Sequence, residues 1–131
     1  MSPNRRPLVV PDLRKMKREG KPIAALTAYD ATFARAMDDA GVDLILIGDS
    51  LGMVVQGHAS TLPVTLDHMV YHASAVARGC RRAIRMVDLP FLTYTTPAEA
   101  LTSAARILQE SDAHMVKLEG GEDRLDVIKA L

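Results

Sequence analysis

Short apolar runs alternate along the chain with longer stretches that mix apolar and polar residues. The run Leu44 to Ile47 is wholly apolar and ends abruptly at Gly48, which is typical of a parallel strand covered on both faces. Three further runs, Ile23 to Ala28, Ile84 to Val87 and His114 to Leu118, predict the other strands. Because strand and helix patterns alternate four times, the sequence predicts a parallel sheet with right-handed crossovers.

The stretches between these strands carry helix start signals. Asp30 and Thr65 stand where an N-cap is expected. Thr96 and Glu99 form a capping-box pattern, with Pro97 at the first helical position. Residues 51–63 lack such a pattern and are predicted to be a loop. The predicted helices are residues 12–19, with Asp12 as N-cap and Gly20 just past the end, then 30–40, 65–77, 97–110 and a last one from Glu122 to Leu131.

Two α/β architectures are compatible with this order of elements. A doubly wound sheet often carries a glycine-rich phosphate loop after its first strand, but the chain has Thr27-Ala28-Tyr29-Asp30 there. A barrel is therefore favoured. Since a complete (βα)8 TIM barrel takes about 250 residues, we expect residues 1–131 to be the first four βα units, the N-terminal half of a single barrel domain and so a fragment.

Composition and charge narrow the class of partner. The chain is 48% hydrophobic and 24% charged, which is ordinary for a globular domain. Lysine plus arginine equals aspartate plus glutamate at 16 each, so no net field favours nucleic acid or anionic lipid, and a small-molecule partner is expected. No apolar run is long enough to span a membrane. The single Cys80, expected to be inert, fits a reducing compartment, and we expect a cytoplasmic protein.

Polar residues end three of the predicted strands. Asp49 and Ser50 follow the second strand, Asp88 follows the third, and Lys117 with Glu119 ends the fourth. Active sites of TIM barrels lie at the carboxyl ends of the strands, so these side chains are expected to converge on one rim. Carboxylate oxygens with room for water are the usual surroundings of Mg²⁺. Each aspartate could instead cap a turn, and Lys117 could be a solvated strand end.

Other charged residues have simpler interpretations. His68 and His72 stand four apart on a predicted helix, but the H-E-x-x-H pattern is absent, so a surface or packing role is expected. A basic cluster around the third strand is interpreted as a solvated turn with its long side chains reaching into water; it comprises Arg78, Arg81, Arg82 and Arg85.

Several motifs, taken together and in order, resemble the ketopantoate hydroxymethyltransferase family. They cover nearly the whole chain from about Lys15 onward. The family resemblance implies transfer of a hydroxymethyl group from methylenetetrahydrofolate to 3-methyl-2-oxobutanoate, giving ketopantoate for pantothenate and coenzyme A biosynthesis. The motifs are Thr27-Ala28-Tyr29-Asp30, Gly48-Asp49-Ser50-Leu51-Gly52-Met53, Val55-Gln56-Gly57-His58, Ser60-Thr61-Leu62-Pro63-Val64-Thr65, Asp88-Leu89-Pro90-Phe91 and Met115-Val116-Lys117-Leu118-Glu119-Gly120-Gly121.

The same resemblance implies roles for the rim residues. Asp49 and Asp88 would ligate Mg²⁺ and contact the substrate, and Glu119 would sit at the metal through bound water. Ser50 and Lys117 would hold the 2-oxo acid. The bound Mg²⁺ would act as a Lewis acid that stabilises the substrate enolate. The resemblance also implies a large homo-oligomer, a decamer at full length.

The family's general base is a glutamate in the second half of the barrel, which would lie beyond Leu131, and no residue of this chain matches it. We therefore assign no catalytic base here and expect residues 1–131 alone to be inactive. Two alternatives stay open. One is a magnesium-dependent barrel enzyme of the isocitrate lyase and phosphoenolpyruvate mutase type, although Cys80 precedes a strand and does not fit that type's rim cysteine. The other is a non-catalytic half-barrel that binds metal or ligand.

Overall fold

The computed structural model describes residues 6–131 and contains one parallel sheet of four strands. The strands lie side by side in chain order, so each crossover connects direct neighbours. The register aligns Leu44 with Ile84 and Asp88 with Lys117. The strands are β1 (Ala25–Thr27), β2 (Leu44–Ile47), β3 (Ile84–Asp88) and β4 (Met115–Lys117).

Helices connect the strands and cover one face of the sheet. The α2, α4 and α5 helices pack side by side, and α4 also contacts β2 and β3. The helices of the described residues are α1 (Val10–Arg18), α2 (Ala31–Ala40), α3 (Leu51–Val54), α4 (Leu66–Gly79), α5 (Pro97–Ser111) and α6 (Leu125–Ala130), the last preceded by a 3₁₀ turn at Glu122–Arg124. The predicted alternation of strand and helix is therefore confirmed.

The core lies between the sheet and these helices. Ile45 and Ile47 of β2 are fully buried, as are Met69 and Val76 of α4. Burying each such side chain contributes roughly 1.5–3 kcal/mol, so the all-apolar β2 is the natural centre of the sheet. Gly79 allows the close packing of α4 on α2, because a Cβ there would overlap the backbone of Ala31.

The predicted caps of the central helices are confirmed. The Asp30 side chain accepts hydrogen bonds from the backbone amides of Thr32 and Phe33 at 2.7 and 2.9 Å. Thr65 accepts from the amide of His68 at 3.2 Å. These side-chain oxygens satisfy amides that have no partner within the helix.

The predicted N-cap of α1 is wrong, while the predicted capping box of α5 is confirmed in its Thr96 half and in Pro97 at the first helical position. The α1 helix begins at Val10 with Val9 as N-cap, and Asp12 accepts from the Val9 amide at 2.9 Å from inside the first turn. At α5 the Thr96 oxygen accepts from the Glu99 amide, but the Glu99 carboxylate hydrogen bonds to the hydroxyl of Thr95. The reciprocal half of the capping box is therefore replaced by a side-chain contact one residue earlier.

The last helix differs from its predicted bounds of Glu122 to Leu131. The α-helical part begins only at Leu125, because residues 122–124 form the tighter 3₁₀ turn, and it ends at Ala130. Leu131 is the C-cap residue rather than a helical one, and its amide donates to the Val127 carbonyl oxygen at 3.1 Å. The predicted helix is thus present but shorter, since helix ends commonly tighten into 3₁₀ geometry.

The prediction that residues 51–63 form a loop is also wrong in part, because the first four of them form the short helix α3. Leu51 is completely buried, and a Cβ on Gly52 would collide with Val64, so this turn packs tightly against the chain that follows it. The outer strands are shorter than predicted: β1 covers 25–27 and β4 covers 115–117.

The interpretation of the basic cluster as a solvated turn is wrong for two of its members. Arg82 pairs with Asp43 at 2.7 Å, and both side chains are largely buried. The buried Arg85 pairs with Asp112 at 2.9 Å. These contacts lie at the amino end of the sheet, where they satisfy loop carbonyls and carboxylates away from the opposite rim.

Candidate active site

Residues from three strand ends line one open pocket at the carboxyl edge of the sheet. Four of the five side chains predicted to converge here line the pocket, and Ser50 does not; the four are Asp49, Asp88, Lys117 and Glu119. Asp88 and Lys117 are register partners on β3 and β4, which brings their side chains together. The remaining lining residues are Thr61, Leu89, Phe91, Tyr94 and Leu118.

Lys117 and Asp88 form the closest ion pair of the pocket. The ammonium nitrogen lies 2.7 Å from Asp88 Oδ1, with the Asp88 side chain only 6% exposed. Burial lowers the pKa of Lys117, but the hydrogen bond and charge of Asp88 outweigh it, so the net pKa is raised. Lys117 therefore stays positively charged at neutral pH and fixes the orientation of Asp88.

Asp49 lies beside this pair in an unfavourable electrostatic position. Its backbone amide donates to Asp88 Oδ2 at 3.2 Å, which brings the two carboxylates close together. Burial, followed by the charges of Asp88 and Glu119, raises the pKa of Asp49, while Lys117 and a hydrogen bond from Thr61 oppose the shift. The folded chain thus holds Asp49 where its negative charge is disfavoured.

Glu119 is the outermost member of the cluster. Its side chain is 80% exposed, and Oε1 lies 3.9 Å from the Lys117 ammonium. Within residues 6–131, no group of three or more His, Cys, Asp or Glu side chains is arranged to hold a metal ion. The predicted set of Asp49, Asp88 and Glu119 therefore shares one pocket without forming a closed ligand cage.

Ser50 follows β2 but turns toward the end of β1. Its Oγ lies 2.7 Å from the phenol oxygen of Tyr29. A Cβ at Gly48 would lie 3.1 Å from Ser50 Oγ and 3.4 Å from Asp88 Oδ2, so the glycine leaves room for both groups above the strand end. Every strand of the sheet, β1 included, therefore ends in a polar side chain or is followed by one at this edge.

Sequence reasoning missed three contributors to the pocket or its edge. Tyr29 follows β1 at a position equivalent to that of Asp49 after β2, a signal that could have identified it. Thr61 arrives from the chain between α3 and α4, and Tyr94 from the chain after β3. Neither lies at a strand end, so no strand pattern marked them.

The residues expected to be structural have structural contacts. His72 Nδ1 lies 2.8 Å from the Tyr29 carbonyl oxygen, and the His68 ring contacts the Thr65 amide at 3.2 Å. Cys80 is 6% exposed, and burial together with Asp38 raises the pKa of its thiol. A raised pKa disfavours the reactive thiolate, as expected for an inert cysteine.

Comparison with known proteins tests the family resemblance noted in the sequence. The family model described as ketopantoate hydroxymethyltransferase matches residues 7–131. The chain belongs to the ketopantoate hydroxymethyltransferase family. It is 57% identical over 125 residues to the 3-methyl-2-oxobutanoate hydroxymethyltransferase of Methylococcus capsulatus, covering 95% of this chain and 46% of the relative. The enzyme of the same name from Halorhodospira halophila is 56% identical over 124 residues, with 95% and 45% covered.

The ketopantoate hydroxymethyltransferase relatives are thus about twice as long as the matched region, and the chain spans a little under half of their length. The family match covers residues 7–131 and identifies no general base. That the base lies beyond Leu131 stays a prediction, and so does the inactivity of residues 1–131 alone.

The fold is supported by a solved structure as well. A 2,3-dimethylmalate lyase of the phosphoenolpyruvate mutase and isocitrate lyase superfamily superposes with a TM-score of 0.67, at 16% identity, over 92% of this chain and 47% of that one. This likeness shows the fold: the four βα units are the first half of a TIM barrel. Residues 6–131 contain no helix long and apolar enough to cross a membrane.

Proposed function

We propose that this chain supplies the metal and 2-oxo acid half of a hydroxymethyltransferase active site. In the proposed reaction the one-carbon unit of methylenetetrahydrofolate replaces the C3 proton of 3-methyl-2-oxobutanoate as a hydroxymethyl group. Water supplies the hydroxyl oxygen, and the products are ketopantoate and tetrahydrofolate. The observation that carries the proposal is the shared pocket of Asp49, Asp88, Lys117 and Glu119, in a chain whose relatives are named for this reaction.

The donor chemistry of the pocket fits Mg²⁺. Three carboxylates face one ammonium, which leaves two formal negative charges at the rim. The raised pKa of Asp49 has the neighbouring carboxylates among its causes, and a divalent cation would relieve that repulsion. Asp49 and Asp88 would hold Mg²⁺ directly, and the exposed Glu119 would act through bound water, which agrees with an open pocket and Mg²⁺'s preference for retaining water ligands.

When bound, Mg²⁺ would supply Lewis-acid polarisation of the substrate's keto oxygen. Lys117 would place its positive charge beside that oxygen as electron density develops there. Because Lys117 is already hydrogen-bonded to Asp88, its ammonium needs little reorganisation to do so. Ser50, which follows β2 beside the pocket, would donate a hydrogen bond to the substrate.

The apolar part of the pocket suits the rest of the substrate. Leu89 and Leu118 lie beside the charged residues, and the rings of Phe91 and Tyr94 line the same pocket. The branched alkyl group of a 2-oxo acid could be removed from water against this wall at a lower free-energy cost than a polar group. We further propose the folate co-substrate, a homo-oligomeric state and a cytoplasmic location, supported by the family alone.

The test uses a barrel-length chain, made by joining residues 7–131 to the second half of the Methylococcus capsulatus relative. Formation of ketopantoate from 3-methyl-2-oxobutanoate and methylenetetrahydrofolate is measured with Mg²⁺ and with excess chelator. We expect turnover with Mg²⁺, loss of turnover with chelator, and recovery when Mg²⁺ is restored.

Asp88→Asn should abolish turnover, while Asp39→Asn, an exposed aspartate on α2, is the matched control and should keep it. Undiminished turnover in chelator would refute the metal role. No turnover under any divalent ion, by a chain that folds, would refute the proposed reaction.

A further inference from the structure

The hydroxyl groups of Tyr29, after β1, and Ser50, after β2, meet beside the pocket, where Ser50 and Asp88 both approach Gly48. Neither Tyr29 nor Ser50 lines the pocket itself. The two hydroxyl oxygens lie 2.7 Å apart, a distance typical of a well-formed O–H···O hydrogen bond. Ser50 is exposed and Tyr29 is partly buried, so Ser50 is the member that faces the solvent.

The Tyr29 ring is fixed from the opposite side. Its backbone carbonyl oxygen lies 2.8 Å from His72 Nδ1 on α4, and its ring meets the His72 imidazole edge-on with centroids 6.4 Å apart. Tyr29 also packs against the hydrophobic core. The Ser50 side chain is therefore held by a residue that is itself anchored to α4 and to the core.

We propose that Tyr29 is a positioning residue for the 2-oxo acid substrate, and that it acts through Ser50. The Tyr29 phenol donates its hydrogen bond to Ser50 Oγ, which leaves the Ser50 proton free to be donated to the anionic carboxylate of the substrate. This inference rests on the proposed function, because it takes Ser50 as a contact of the 2-oxo acid.

The direction of the hydrogen bond follows from the charge of the ligand. A serine hydroxyl has one proton to donate, and an anion beside it attracts that proton outward. The serine oxygen then needs a donor behind it, and Tyr29 is the group in place. Hydrogen bonds arranged head to tail in this way strengthen one another, so the phenol should improve binding of the anion without touching it.

The experiment measures steady-state kinetics of Tyr29→Phe in the barrel-length chain. Phenylalanine keeps the ring and removes only the phenol oxygen. Since a hydrogen bond contributes about 0.5–1.5 kcal/mol, we expect the KM for 3-methyl-2-oxobutanoate to rise about two- to thirteenfold. The kcat and the KM for methylenetetrahydrofolate should change less than about twofold, because the substrate carboxylate is charged throughout the reaction.

The matched control is Tyr71→Phe. The Tyr71 ring also meets His72 edge-on, at 5.3 Å, but its side chain is largely exposed. It should leave both KM values unchanged. A double-mutant cycle supplies the decisive comparison: in a Ser50→Ala background, Tyr29→Phe should add less than about twofold.

Three results would contradict a positioning role for Tyr29. An unchanged KM for the 2-oxo acid in Tyr29→Phe would overturn the inference, as would an equal loss in the Ser50→Ala background or a parallel rise in the KM for the folate. Any of these in an otherwise active chain leaves the proposed function intact. Absence of turnover in the parent chain would instead refute the proposed function and this inference with it.

Discussion

Replacing Asp49 with asparagine should stabilise the fold while removing metal binding. Asparagine keeps the shape of the side chain but carries no charge. In the folded chain the pKa of Asp49 is raised by burial and by the charges of Asp88 and Glu119. The ionised form is therefore less favourable in the folded state than in the unfolded state, and the amide avoids that penalty.

The pH dependence has a defined sign. A folded state that raises an aspartate's pKa binds the proton more tightly than the unfolded state does, so stability falls as pH rises from the ordinary pKa of 3.8 through the raised value. The advantage of Asp49→Asn should be absent below this window and fully present above it. Asp49 is only partly buried, so after solvent screening we expect about 0.5–1 kcal/mol.

The assay is urea unfolding of the barrel-length chain in chelator, at pH 3 and at pH 7.5, for the parent and for Asp49→Asn. Adding Mg²⁺ at pH 7.5 should then stabilise the parent and leave the variant unchanged, because ligand binding stabilises only a state that binds it. The control Asp39→Asn should match the parent throughout. If Asp49→Asn were less stable than the parent at pH 7.5 in chelator, the electrostatic reasoning would be wrong.

Two further substitutions test other parts of the account. Lys117→Ala should lower kcat/KM by an amount that corresponds to a loss of about 2–4 kcal/mol of transition-state stabilisation, with little change in Mg²⁺ affinity. A kcat/KM near that of the parent would reassign Lys117 to a structural role. Asp38→Ala should destabilise the chain by about 2–4 kcal/mol in thermal unfolding, because Asp38 accepts from the amide of the fully buried Ala83 at 2.7 Å. In the same melts Asp39→Ala, on the next residue, should change stability by less than about 0.5 kcal/mol, and equal losses would contradict the assigned role of Asp38.

The sheet and most of its helices could be predicted because their signals are local. An unbroken apolar run such as Leu44 to Ile47 can be satisfied only by burial on both faces, and β2 is indeed almost wholly buried. The caps at Asp30 and Thr65 depend on a few neighbouring residues, so tertiary packing did not override them. The convergence of Asp88 and Lys117 then followed from strand order alone.

The predictions that failed depend on contacts between distant segments. The sequence indicated a solvated Arg85, but Asp112, 27 residues later, forms an ion pair with its buried guanidinium. The α3 turn forms because Leu51 is buried and Gly52 packs against Val64, which no local propensity indicates. Tyr29 was likewise not recognised at the site, since its relation to Ser50 arises only when β1 pairs with β2.

The most direct test of the central claim is proton exchange at C3 of 3-methyl-2-oxobutanoate in deuterated buffer, followed by NMR without folate. This isolates the step for which the pocket of Asp49, Asp88 and Lys117 is proposed. The barrel-length chain should catalyse exchange with Mg²⁺, and exchange should disappear in chelator and in Asp88→Asn. Exchange that continued at the parental rate in either case would contradict the assignment of this rim as the metal-assisted site of enolate formation.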